Sequence, residues 1–102
     1  MLYDPKWQTK EAWRTVLLKA ADAIERHGHA KCALVDGGRM CIAGAINFVI
    51  FGKAKTLEQH PDKTAAMNRL DEMCDHCFVR FNNAPQTTAA EVVAKMRECA
   101  RC

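Results

Sequence analysis

The sequence has no apolar run long enough to cross a bilayer, no basic block, no phosphate-cradling glycine loop, no internal repeat and no low-complexity tract. Its longest apolar stretch, Cys41 to Phe51, is interrupted by Gly44 and Asn47 and falls well short of the roughly 20 residues of a membrane-spanning helix. The opening residues, Met1 to Trp7, lack the basic region, apolar stretch and small-residue cleavage site of a secretion leader. The expectation is a cytoplasmic protein with no membrane partner. Lys and Arg alternate with Asp and Glu at a formal net charge of only +3, a mixed solvated surface that argues against a nucleic-acid partner.

What is present is ordinary globular chemistry. Hydrophobic residues make up 49% and charged residues 26%, enough apolar surface to offset chain entropy and exclude disorder. A length of 102 residues predicts a single helical domain over 1–102. The fold class expected is mainly α, a compact bundle of about four helices with a small β-hairpin between helices one and two.

Trp13, Val16, Leu17, Ala20, Ala21 and Ile24 share one helical face, with Thr9 placed to cap the start and Gly28 to stop the helix. Asp36-Gly37-Gly38 between short apolar runs signals a tight hairpin. A second helix, from about Cys41 to Phe51 with Gly52 as its stop, has almost no polar face and is expected at the centre of the bundle. Gly44 inside it suggests close approach of a neighbouring backbone. In the following segment, Thr56 and Gln59 look like a capping pair and His60-Pro61 ends any helix.

A third helix, capped by Asp62 or Thr64, is predicted from a continuous stripe: Ala66, Met67, Leu70, Met73, Cys74, Cys77, Phe78 and Phe81. Asn82 to Thr87 reads as a turn. Thr88 and Glu91 form a capping box for a last helix that turns Val92, Val93, Met96, Cys99 and Ala100 inward. Trp13 reads as core, whereas Trp7 and Tyr3 are open to either a core-edge or a partner-binding role.

Six cysteines in so short a chain, read in a reducing compartment, point to free thiols or a metal. Cys74-x-x-Cys77 and Cys99-x-x-Cys102 have the pairing of a four-thiolate zinc site. Both pairs fall in predicted helices, and Cys74, Cys77 and Cys99 already serve as small apolar residues on inner faces. The favoured reading is therefore core cysteines and no cofactor, with zinc as the alternative. Cys41 opens a helix, where the helix N-terminus lowers a thiol pKa. With His27, His29 or His60 and with Asn82, it sketches a cysteine-enzyme trio. A buried cysteine beside the hairpin is the plainer reading, as are turn-forming and capping roles for Asn82 and Asn83.

Leu17 to Gly28, then Gly38-x-x-Cys41-x-x-Gly44-Ala45, then Phe81-Asn82-Asn83-Ala84-Pro85 before Thr88-Ala89-Ala90-Glu91-Val92, together resemble a family of small proteins from actinobacteria and their phages that is known only as a domain of unknown function. The likeness runs from about Leu17 to Ala100. This chain has His29 and Phe81 where the family favours Trp, and Asn83 where it favours Asp, so the apolar wedge is kept while a charge is lost. The resemblance implies a compact helical domain, often phage-encoded, with Gly28, Gly38, Cys41, Gly44, Ala45, Phe81, Asn82, Asn83 and Pro85 as structural motif residues. It implies no activity. The expectation is a small non-enzymatic binding or regulatory protein acting on a bacterial protein partner, with no oligomeric state implied. A Cys41-dependent enzyme and a zinc-stabilised interaction module stand as alternatives.

Overall fold

A computed structural model describes residues 11–101. Thr9, Trp7, Tyr3 and Cys102 therefore lie outside the described residues. The first helix, α1 (Ala12–His27), buries Trp13, Val16, Leu17, Ala20, Ala21 and Ile24, the face its periodicity announces. Arg26 and His27 occupy its last turn, where positive charge suits the helix dipole, and the Gly28 N–H closes it on the Ile24 carbonyl at 2.8 Å.

The chain then folds back through strands β1 (Val35–Asp36) and β2 (Arg39–Met40), antiparallel with Asp36 opposite Arg39. Gly37 and Gly38 both have positive φ, as a two-residue turn matching strand twist requires. Met40 also bonds the Gly28 carbonyl (3.1 Å) and the Ala30 N–H (3.0 Å), so the segment leaving α1 lies alongside β2.

Helix α2 (Ile42–Phe51) follows, capped by the Cys41 sulfur on the Gly44 N–H and ended by left-handed Gly52. It buries Ile42, Ala45, Ile46, Asn47, Val49 and Ile50. Helix α3 (Pro61–Met73) is capped not by Asp62 or Thr64 but by His60, whose Nδ1 accepts from the Asp62 N–H at 3.1 Å. Pro61 begins this helix, since its missing N–H is no loss in a first turn. Thr56 accepts from the Glu58 N–H in a local turn, and Gln59 bonds the Leu57 carbonyl, so these two residues do not cap a helix.

The predicted long third helix is two helices. Residues Cys74 to Cys77 form a turn in which Asp75 and His76 take left-handed backbone (φ 58° and 68°), and a second helix, α4 (Phe78–Asn83), begins after it. Asp71 causes the break. Its carbonyl accepts from the Cys74 and His76 N–H groups, and its carboxylate accepts from the Phe78 N–H at 2.9 Å. One residue thereby closes α3 and satisfies the first N–H of α4, whose own cap is Cys77. The described residues thus form five helices and the expected hairpin, and Asn82 and Asn83 are the last helical residues of α4 rather than part of a turn.

Helix α5 (Ala89–Arg101) opens with the reciprocal Thr88–Glu91 box and buries Val92, Val93, Met96, Cys99 and Ala100. It packs mainly along α1. The Arg14 guanidinium holds the Ala100 carbonyl (2.8 Å), and Arg97 bridges Asp22 and Glu25. Helix α1, which touches α5, α2, α3 and β2, is therefore the centre of the packing, a place expected for α2. The described helices share one core in which Leu17, Ile24, Ile42, Ile46, Ile50, Leu70 and Met96 are fully enclosed. Each such side chain contributes about 1.5–3 kcal/mol over its exposed state.

Candidate functional site

The motif residues converge where the segment after α1 passes between the start of α2 and the end of α4. Asn82, 3% exposed, is the hub. Its Oδ1 accepts from the Ile42 N–H at 3.0 Å, satisfying an orphan donor in the first turn of α2. Its Nδ2 donates to the Ala30 carbonyl at 3.1 Å and to Asn83 Oδ1 at 2.8 Å. Because backbone partners fix the orientation of the amide, the His29 Nε2 that lies 2.8 Å from Oδ1 must carry a proton.

The neighbours extend this contact into a clamp. Asn83 Oδ1 accepts from the Cys32 N–H at 2.7 Å and so holds Cys32 at a φ of 61°. Lys31 Nζ reaches the Ala84 and Pro85 carbonyls beyond the end of α4, where a cation is favoured. Each residue from His29 to Cys32 is thus tied to residues 82–85.

Gly44 completes the arrangement. A methyl group on it would lie 2.0 Å from the Leu34 carbonyl oxygen, so the loop backbone sits directly on the helix, and the same carbonyl accepts from the Cys41 N–H. The close approach expected of Gly44 is present, although the neighbour is this loop and not another helix. Ala45 is fully buried beside it, Phe81 packs on the core edge, and Gly38 lies in the hairpin turn.

A hollow of about 310 Å³ opens beside the clamp, lined by Cys32, Leu34, Cys41, Phe78, Asn82 and Asn83 among others. The proposed trio is therefore partly assembled. His29 and Asn82 are in contact, and Cys41 shares the hollow with Asn82. The trio needs an activated thiol, however, whereas Cys41 is buried. Burial pushes its pKa up, and this outweighs the N–H groups of Gly44 and Ala43 that pull the other way. Its sulfur accepts from the Gly44 N–H at 3.3 Å, and among the described residues no hydrogen bond joins it to His29. His27 lies against Phe48 and His60 caps α3, both serving other contacts.

The cysteines of the two pairs are spread between several roles. Cys74 is half-buried at the end of α3, with its thiol pKa also raised by burial, and Cys77 accepts from the Arg80 N–H as the cap of α4. Cys99 is enclosed in the core on α5. Cys74 and Cys77 stand in a turn, not in a helix as expected. Among the described residues no group of three or more His, Cys, Asp or Glu side chains gathers to hold a metal.

Sequence reading missed Lys31 and Cys32 because their partners lie more than fifty residues away. It also missed two buried polar residues, Asn47 and Lys63. Asn47 donates to the Ala54 and Thr56 carbonyls, and Lys63 to the Glu58 carbonyl, which fastens the loop between α2 and α3. One signal was available: Asn47 interrupts an otherwise apolar helix.

A family of unknown function (DUF6197) has a model that matches residues 8–101. No curated protein and no solved structure matches the chain. Among the described residues no helix is long and apolar enough to cross a membrane.

Proposed function

Since the chain belongs to this family of unknown function (DUF6197), we propose that it is a small non-enzymatic binding protein acting on a bacterial protein partner in the cytoplasm. The observation that carries the reading is the saturation of Asn82. Both amide atoms are bonded within the fold, to Ile42, Ala30, Asn83 and His29. The motif residues are thereby occupied in holding the architecture, and recognition falls to the outer surface. The phage or prophage origin we attach to this proposal rests on the motif resemblance alone.

Affinity capture from an actinobacterial lysate tests the reading. Wild type and the Cys41→Ser variant retain the same protein in equal amount. Retention of no protein by either form, or loss of it with Cys41→Ser while the fold persists, counts against a binding role independent of the thiol.

A second reading, a Cys41-dependent enzyme, is favoured by the His29–Asn82 contact beside the thiol-lined hollow. Selective labelling of Cys41 by iodoacetamide near neutral pH, faster than labelling of exposed Cys32, would support it.

A further inference from the structure

Two shallow hollows run together along the outer side of α1 and α2. The first, of about 280 Å³, lies between Lys19, Ala23, Arg26 and Val49. The second, of about 290 Å³, lies between Val35, Met40, Lys53 and Lys55. His27 and Phe48 line both, edge to face with ring centroids 6.0 Å apart, so the two hollows adjoin at this ring pair, and together they are called the groove. The floor is apolar and the rim is basic. The one acid on the rim, Asp22, is bound by Arg97 at 3.0 Å, and Lys53 is bound by Glu58 at 2.9 Å. Among the described residues Arg26 and Lys55 are both exposed and have no ion-pair partner.

The loop that supplies Lys53 and Lys55 also carries Leu57, 90% exposed. Its backbone is fastened from beneath by Asn47 and Lys63. Leu57 is therefore held outward on an anchored loop.

We infer that this groove binds an acidic amphipathic segment of a partner protein, with apolar side chains against Phe48 and carboxylates facing Arg26 and Lys55. The inference rests on the protein-binding reading above and names its surface and the chemistry of its partner. A basic rim around an apolar floor complements acidic residues flanking an apolar stripe. Nucleic acid fits less well, because strand binding needs successive stacking platforms, and the groove offers a single phenyl ring already packed against the core and His27.

The test is an anisotropy titration with a labelled peptide about four turns long, Leu at helical spacing and Glu elsewhere, alongside a Lys-for-Glu version and oligothymidine. The wild-type chain binds the acidic peptide saturably, more weakly at high salt, and the R26E/K55E double variant binds it about tenfold more weakly while still melting cooperatively, with only the small loss of stability that an acid in the last turn of α1 brings. No saturation by about 1 mM, equal binding of the Lys peptide, tighter binding of oligothymidine, or no effect of R26E/K55E overturns the groove assignment. The lysate capture separates the two failures. A partner retained equally by wild type and R26E/K55E sinks the groove and leaves the binding reading intact, whereas retention by neither sinks the reading itself.

Discussion

Two buried asparagines hold two loops, and they do so in different ways. Asn82 ties the segment after α1 to α2 and α4 across 40 to 53 residues of chain, with both atoms of its amide bonded. Asn47 ties the loop after α2 to its own helix across seven and nine residues, through its nitrogen only, while its Oδ1 is buried without a partner. The first is a junction between distant parts of the fold. The second is a local staple that leaves part of its own polar capacity unused. The loop under the first is pinned to two helices with Ala30 buried at its start, and the loop under the second displays Leu57 and Lys55. The pair shows how one residue type serves architecture in one place and presentation in another.

The contrast can be tested in order of expected effect. Asn82→Ala strands the Ile42 N–H and the Ala30 carbonyl, and is expected to cost about 4 kcal/mol in urea unfolding, since each orphaned buried group costs about 1–3 kcal/mol. Gly44→Ala forces a methyl group onto the Leu34 carbonyl, which is backbone and cannot rotate away. Its expected cost is about 3 kcal/mol by the same measurement. Asn47→Ala should cost only about 1 kcal/mol, because removing the unpartnered Oδ1 offsets part of the lost donation. A cost equal to that of Asn82→Ala would erase the distinction drawn here.

The smallest effect is on pH dependence. Burial keeps the Cys41 thiol protonated in the folded chain, while the unfolded thiol ionises from about pH 8.5. Folding stability therefore falls as pH rises past that value. Melting followed from pH 7 to pH 10 is expected to show a shallower decline for Cys41→Ser than for wild type.

The sequence carried the large elements well. The faces of α1 and α5, the hairpin at Asp36-Gly37-Gly38, the Thr88–Glu91 box and the tight contact at Gly44 follow from local pattern, and the structure contains them. The stripe through Cys74, Cys77 and Phe81 misled because those residues keep helical spacing across a turn that has no glycine or proline to mark it. Asp71, Asp75 and His76 make the break, and a break of that kind rests on one carboxylate reaching five residues past the end of its helix, to the Phe78 N–H. At the candidate site, Cys41, His29 and Asn82 were the residues to single out, but their roles were not legible. The ionisation of a thiol depends on how deeply tertiary packing buries it, and Asn82 takes its partners from segments that pattern alone does not bring together.

The clamp between residues 29–32 and 82–85 also bears on kinetics. Its bonds close a chain loop of more than fifty residues, a closure whose entropy must be met before the contacts can repay it. If these bonds form after the rate-limiting step, Asn82→Ala speeds unfolding and leaves the refolding rate nearly unchanged, which stopped-flow urea kinetics would show.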